Sequence, residues 1–387
     1  MSLSKHILYI HPVEITSKKA NLIQVISMCN AFTKNGYRID LALLCGDLQI
    51  DNPNDYIISK YGIQPSFNII IYNKLRFSRI GKYFRNNQLH TLIHSNEASI
   101  VFVRVPSLVN EALKYGKAVI FESHSNLLHN RIKIIDWYLK RRLLRNTSAS
   151  KFSLFICISN ELSKYWLASG VSKSKLLTLH DGVDIEAFKN NINKKESRLL
   201  LGLPTLKKIV VYTGSLYPDR EIENIIRLAQ RFPEVHFCIV GGPEKNKDYY
   251  LNLSTKLRIS NISFSGHRPH STISMYLAAA DILLAVWSRK VPTIGYCSPL
   301  KIFEYMASGK TIVAHGFPTI HEVLTHNKTA FLADPDNFDD LSLKLMDALS
   351  NGRNVGPAAQ NLVISEFTWD KRVKAIIHRL RLYESGY

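Results

Sequence analysis

Short, continuously apolar runs alternate along this chain with stretches whose apolar residues recur every three or four positions. Residues 6–11 (HILYIH) form an apolar run, which predicts a strand covered on both faces. Leu22, Ile23, Ile26, Cys29 and Phe32 then share one helical face. Asn35-Gly36 ends that helix and residues 37–44 read as the next strand, so the chain opens with a βαβ unit. Further strands are predicted at 68–72, 99–103, 118–121 and 153–158, with helical patterns between them. Such alternation specifies an α/β fold with a doubly wound parallel sheet.

A strand at 176–179 is followed by His180-Asp181-Gly182-Val183-Asp184, which is turn chemistry, and a second domain begins there. Residues 189–197 are polar and read as a connecting segment. The alternation then restarts with a strand at 209–212, a helix at 220–231, and strands at 235–240, 262–265 and 281–286. Glycine turns follow three of these strands: Thr213-Gly214-Ser215, Gly241-Gly242-Pro243 and Gly266-His267-Arg268. Helices are predicted at 341–349 and 358–366, and a basic amphipathic helix at 370–383 closes the chain. A chain of 387 residues exceeds what one core usually serves, and two domains are expected. In open α/β sheets ligands bind beyond the carboxyl ends of the strands. The residues so placed are Arg104, Glu122, Ser123 and His124 in the first domain and the glycine turns in the second.

Residues 298–310 (SPLKIFEYMASGK) read as a helix with both ends marked. Ser298 suits the N-cap, Pro299 the first helical position, and Gly309 a left-handed C-terminus. A helix N-terminus favours anions, and Lys301 puts a full positive charge where an acid would ordinarily be preferred. Glu304 follows one turn later on the same side as Leu300 and Lys301. This order suits a diphosphate and then the hydroxyls of a ribose; the plain alternative is an ordinary capped helix carrying two solvated charges. The glycine turns are expected to face the same edge as this helix, forming a nucleotide pocket at an interdomain cleft.

Composition adds little to the fold but bears on partners. The chain is 46% hydrophobic and 21% charged, as globular chains are. No apolar run reaches the roughly 20 residues needed to span a bilayer, and the start of the chain reads directly into a strand without a signal peptide. The five cysteines follow neither a zinc spacing nor a disulfide framework. Net charge is +19, and residues 1–190 hold 25 Lys/Arg against 13 Asp/Glu, so the excess leans to the first half. Such a surface predicts anionic partners. The helix read over 127–145 has a stripe of Leu128, Ile132, Ile135, Leu139 and Leu143, flanked by Trp137 and Tyr138. Between 131 and 151 it carries seven basic residues (Arg131, Lys133, Lys140, Arg141, Arg142, Arg145 and Lys151) against one acid, Asp136. Docking on anionic lipid and a solvated face on a domain helix are both open readings. Nucleic acid is not expected as a partner, because aromatic residues do not interleave with the basic ones.

Taken together, residues 298–309, Tyr212-Thr213-Gly214-Ser215-Leu216-Tyr217, His180-Asp181-Gly182-Val183-Asp184 and Gly266-His267 resemble, in order, the landmarks of glycosyltransferase family 4. Met28-Cys29-Asn30-Ala31-Phe32 with Asn35-Gly36-Tyr37 resembles its first helix and second strand. Phe367-Thr368-Trp369-Asp370 is similar to the start of its last helix, which crosses back to the first domain. The resemblance implies a GT-B fold: two Rossmann-like domains facing a cleft. It places residues 1–180 and 369–387 in an acceptor-side domain and 181–368 in a nucleotide-sugar-binding domain. It implies a retaining transferase that moves a hexosyl unit from a UDP- or GDP-sugar to an acceptor hydroxyl. Glu304 would accept the ribose hydroxyls, and amides around Ser298, Pro299, Leu300 and Lys301 would hold the diphosphate. Gly214 belongs to the phosphate loop, and Arg220 replaces a phosphate-contacting lysine. Gly266, His267 and Arg268 would meet the base, and His124 the donor sugar near the reacting carbon. His124, Arg220 and Lys301 are thus the expected catalytic residues.

Three departures from the family pattern stand out. Tyr296 replaces a sugar-contacting glutamate eight residues before Glu304. Ser215 stands where an arginine often follows the phosphate-loop glycine. The first-domain loop carries Ser17, Lys18 and Lys19 in place of a glycine pair. No cofactor and no metal are expected, the nucleotide sugar being the substrate; Asp339-Asp340 sits at a helix start and not in a metal loop. The partners expected are a nucleotide-sugar donor, a carbohydrate or lipid-linked acceptor, and an anionic membrane surface. The expected setting is the cytoplasm, peripheral at the inner membrane face, in polysaccharide or glycolipid assembly. The alternatives are a GT-B-fold epimerase, a basic nucleic-acid-binding protein, or a scaffold that has lost catalysis.

Overall fold

The computed structural model describes residues 5–17, 20–45, 50–72, 80–126, 133–188 and 192–384. Its contacts divide the chain into two units, Met1–Asp181 with Trp369–Tyr387, and Gly182–Thr368.

The first unit is built on seven parallel strands: β1 (His6–Glu14), β2 (Arg38–Leu44), β3 (Asn68–Tyr72), β4 (Ile100–Val103), β5 (Ala118–Ser123), β6 (Phe152–Cys157) and β7 (Leu176–Thr178). They lie in the order β3-β2-β1-β4-β5-β6-β7. β1, β4 and β5 occupy the centre, and their side chains are buried almost without exception, as strands covered on both faces must be. In adjacent strands Tyr9 pairs with Phe102, and Phe102 with Ile120. The Tyr9 and Phe102 rings stack on one face with centroids 4.3 Å apart. The helices Ala20–Lys34 and Trp369–Glu384 belong to this unit.

The second unit has six parallel strands: β8 (Ile209–Thr213), β9 (His236–Val240), β10 (Ile262–Gly266), β11 (Ile282–Ala285), β12 (Thr311–His315) and β13 (Phe331–Ala333). Their order is β10-β9-β8-β11-β12-β13. Alternate residues feed two apolar layers: Ile209 and Val211 enter one, Val210 and Tyr212 the other. The segments that open and close this unit pair with each other, Val183 N–H donating to the Phe367 carbonyl at 3.0 Å.

Several sequence readings change. The connector read over 189–197 overlaps a helix, Lys194–Leu200, capped by the Asn193 side chain accepting from the Glu196 N–H. It is anchored by Arg198, which is buried and bonded to Asp281 at 2.6 Å. Polar composition hid this helix because its buried members are Ser197 and Arg198. The helix expected from Arg220 begins at Ile222, since Glu221 adopts φ 56° and breaks it from the short turn Pro218–Arg220. β1 runs on to Glu14, and β13 was not anticipated. Of the basic helix, Lys133–Thr147 is observed; Leu128, Arg131 and Ile132 lie outside the described residues, as do Lys18 and Lys19. Leu143 is buried as expected, whereas Ile134, Trp137 and Tyr138 are exposed.

Candidate nucleotide-sugar site

The second unit gathers its three glycine turns at one edge of the sheet. Gly214 N–H donates to the Val240 carbonyl at 2.9 Å, Leu216 N–H to Gly242 at 2.7 Å, and Gly241 N–H to Gly266 at 2.9 Å. The turn after β8 is thus sewn to the turn after β9, and that one to the end of β10. Glycine is required where they cross: Gly241 has φ 154°, and a Cβ there would stand 1.6 Å from the Gly214 carbonyl oxygen. Gly214, at φ 144°, would set a Cβ 2.7 Å from Lys301 Nζ.

The helix that supplies this lysine spans Leu300–Ala307. Its N-cap position is held by Pro299, with φ −74° and ψ 116° and no side-chain cap, so Ser298 precedes the cap and Pro299 is not the first helical residue. The difference is one residue, within the usual ambiguity of helix ends. Ser298 is buried and Leu300 opens the first turn. Gly309 is left-handed at φ 68°, as the sequence implied. Tyr305 ties the helix to the sheet: its hydroxyl accepts from Thr213 N–H at 2.8 Å.

Lys301 carries a large electrostatic cost. The residue as a whole is half-buried, but its Nζ is enclosed and has no hydrogen-bond partner. It lies 4.1 Å from the Tyr212 ring centroid and 5.1 Å from that of Trp287. Burial, then the charge of Arg220, bring its pKa down to about 7, with Glu304 opposing. Arg220 donates from Nε to Ser215 Oγ at 3.1 Å and pairs with Asp219 at 3.0 Å. Two cations therefore converge on the Gly214-Ser215 turn, Arg220 paired with Asp219 and Lys301 within reach of the Glu304 charge. An anion held there would be bound by both, beside a helix N-terminus.

Glu304, one turn along, faces His270 from the helix His270–Ala279, with Oε1 and Nε2 2.9 Å apart. Burial works against charge on His270, but the hydrogen bond and charge of Glu304 prevail and hold its pKa above the usual value. Gly266 is left-handed at φ 70°; His267 and Arg268 are exposed. The His267 N–H is occupied by Glu244 Oε1 at 3.0 Å, so that amide is already committed within the turn. Tyr296 is buried, and burial pushes its pKa up to about 12, so it remains a neutral phenol.

In the first unit, His124 follows β5 and is organised by Glu122, which is wholly buried. Glu122 Oε1 lies 2.5 Å from His124 Nε2 and 3.6 Å from Arg104 Nε; Oε2 accepts from Arg372 at 2.8 Å. Burial alone would raise the Glu122 pKa, but Arg372 foremost, then His124 and Arg104, hold it far below the carboxylate range. The carboxylate can only accept, so His124 carries its proton on Nε2 and keeps Nδ1 as the lone-pair nitrogen. Burial and the Arg104 charge lower the His124 pKa to about 4 against the pull of Glu122. The contact is therefore a neutral imidazole donating to a carboxylate, and not an ion pair. Arg372 also donates to the carbonyls of His180 at 2.8 Å and Leu179 at 3.2 Å. Gln24 donates to Asp181 at 2.5 Å, and burial raises the Asp181 pKa to about 7. Gln24 and Arg372 were not singled out in the sequence, where Asp181 appeared only within the His180–Asp184 motif; for Arg372 the available signal was the basic character of the closing helix.

Two family models match: "Glycosyltransferase Family 4" over residues 23–187 and "Glycosyl transferases group 1" over residues 193–363. D-inositol 3-phosphate glycosyltransferase of Mycolicibacterium smegmatis is 24% identical over 233 residues, 57% of this chain and 51% of that protein. The Mycobacterium tuberculosis protein of the same name is 26% identical over 150 residues, 38% of this chain and 30% of its own length. The chain thus spans about half or less of the curated relatives it matches. Among solved structures, Anabaena HepE in complex with UDP and glucose superposes with a TM-score of 0.74 at 17% identity, covering 97% of this chain and 99% of that one. A glycosyltransferase from Rickettsia africae gives 0.77 at 13% identity, covering 99% and 100%. Sucrose-phosphate synthase from Thermosynechococcus elongatus gives 0.73 at 15% identity, covering 99% and 100%. These structures show the fold, which is GT-B, and the two family models, which between them span most of the chain, place this protein in glycosyltransferase family 4.

Proposed function

We propose that this chain is a retaining, metal-independent transferase that moves a hexosyl unit from a nucleoside diphosphate sugar to an acceptor hydroxyl. The observation that carries the reading is Lys301 Nζ, buried without a hydrogen bond beside Arg220 and the Gly214-Ser215 turn. In this reading the diphosphate lies against the side chains of Lys301 and Arg220 and the backbone around Pro299 to Lys301, where Leu300 and Lys301 supply the N–H groups that a proline lacks, and Glu304 accepts hydrogen bonds from the ribose hydroxyls. The base meets the turn at Gly266, His267 and Arg268, through groups other than the His267 amide. As the glycosidic bond breaks, negative charge grows on the diphosphate, and preorganised cations at a helix N-terminus stabilise it. His124 is assigned to a hydroxyl of the reacting sugar through its lone-pair Nδ1. Glu122 is fully engaged by Arg372 and His124 and is a poor nucleophile, which supports attack from the leaving-group face with a phosphate oxygen as base. UDP is the favoured nucleotide because it occupies the similar HepE structure.

The acceptor is read as a carbohydrate or lipid-linked sugar of a cell-surface polymer or glycolipid. Membrane docking is supported by the helix Lys133–Thr147, where exposed Ile134, Trp137, Tyr138, Arg141 and Arg145 follow one another at helical spacing. Lys140 and Arg142 serve inside the unit, on Tyr165 and Glu111, leaving Arg141 and Arg145 for lipid headgroups at about 1 kcal/mol each. No helix among the described residues is long and apolar enough to cross a membrane.

A melting screen against UDP, GDP, ADP and their hexoses tests the donor assignment. One nucleotide family is expected to stabilise the protein, by about 2.7 kcal/mol at a concentration 100 times its Kd. Indifference to every nucleotide would overturn the reading.

A further inference from the structure

The carboxyl ends of β1, β4 and β5 bring together a group that no contact in the fold explains. Ile10 pairs with Val103 and Val103 with Phe121, and the residues that follow them, His11, Arg104 and Glu122, form one row close enough for the charges of Arg104 and Glu122 to act on the His11 ring. His11 is 5% exposed, and neither of its ring nitrogens has a hydrogen-bond partner. Its row neighbours are engaged: Glu122 as described, and Arg104 between Glu122 and the Asn21 carbonyl. More than nine in ten buried polar groups are paired, and leaving one unpaired costs about 1–3 kcal/mol. An aromatic or aliphatic residue would fill the same space without that cost.

We propose that His11 is a specificity-determining residue that hydrogen-bonds a hydroxyl of the carbohydrate on which this chain acts. The proposal rests on the transferase reading above. Its ligand chemistry follows from the charge state. Burial, then the positive charge of Arg104 and the proximity of His124, press the His11 pKa down to about 2, with Glu122 opposing. The ring is therefore neutral throughout the working pH range, offering one N–H and one lone pair. A sugar hydroxyl, both donor and acceptor, can use either. A phosphate or carboxylate uses only the N–H and gains no charge from a neutral ring. The hydroxyl can belong to the donor hexose or to an acceptor sugar, and the experiment separates them.

The variants are His11→Leu, His11→Phe and His11→Gln. Thermal melting of the free proteins comes first: the leucine or phenylalanine variant is expected to melt no lower than wild type, because two unpaired buried atoms are removed. A loss of stability in both would show that the imidazole is structural and overturn the proposal. UDP release is then measured with the UDP-hexose selected by the melting screen, without acceptor and with a panel of alkyl glycosides. A KM at least tenfold higher is expected for one sugar ligand, with the Kd of UDP itself unchanged and partial recovery in His11→Gln. A rise confined to UDP-hexose hydrolysis assigns the donor hexose; a rise confined to the glycoside assigns the acceptor. Unchanged KM values for both refute the role of His11. Failure of the wild type to bind any nucleoside diphosphate sugar instead refutes the transferase reading, and the two failures are told apart by the wild-type control.

Discussion

Replacing Lys301 with methionine should make the free protein more stable while abolishing its response to nucleotide. The fall in the Lys301 pKa from the ordinary 10.5 to about 7, at 1.36 kcal/mol per decade of proton affinity, corresponds to about 5 kcal/mol against the charged form. The sign of this penalty with pH follows from proton counting. Between pH 7 and 10.5 the unfolded chain binds a proton that the folded chain does not, so wild-type stability rises with pH across that window. The gain from Lys301→Met is therefore full below pH 7 and fades toward pH 10.5. A diphosphate at the Nζ restores its proton, and at pH 8 binding should take up about 0.9 proton per UDP. The phosphate of the nucleotide titrates near pH 6 and does not interfere there. Calorimetric titration of UDP at pH 8 in two buffers of different ionisation heat measures this uptake. No uptake by the wild type, or equal UDP affinity in Lys301→Met, would refute the argument.

Three further outcomes are expected. Glu304→Ala should weaken UDP by about 10–100-fold, the value of hydrogen bonds to a charged group, and should lose any preference for UDP over its 2′-deoxy analogue; retained preference removes Glu304 from the ribose. Asp181, with its pKa raised from 3.8 to about 7, holds a proton that the unfolded chain has lost, so wild-type stability falls as pH rises through that window. Urea denaturation should find Asp181→Asn gaining on wild type from pH 4 to pH 8, and parallel curves would contradict the assignment. Gly241→Ala drives a Cβ into the Gly214 carbonyl and should cost about 2–6 kcal/mol from overpacking and backbone strain; a wild-type melting temperature would show that the turns can separate.

The strands of both sheets, β13 excepted, were legible because buried parallel strands are continuous apolar runs, and such runs need no knowledge of their partners. The glycine turns were equally plain. Gly214, Gly241 and Gly266 adopt backbone angles that other residues resist, so their identity alone reports a local requirement. The helix Leu300–Ala307 was readable to within one residue, and Lys301 and Glu304 stood out as charges whose order along one face suited a nucleotide. The helix Lys194–Leu200 was missed because its buried members, Ser197 and Arg198, are polar, and Arg198 is satisfied by Asp281, a partner far along the chain.

Sequence alone determined the alternation of elements, the division into two α/β domains, and the positions at which backbone or charge departs from what stability requires. Those are local properties, set by side-chain periodicity and by φ and ψ. Tertiary structure decided which polar groups are already spoken for. Arg372 reaches Glu122 across 250 residues, His270 reaches Glu304, and Glu244 takes the His267 amide, while Lys301 Nζ and both nitrogens of His11 are enclosed with nothing to bond. Whether a buried polar group is satisfied depends on partners brought together by folding and on the water they exclude. That balance makes one charge structural and its neighbour a ligand group, and it is invisible until the strands are laid side by side.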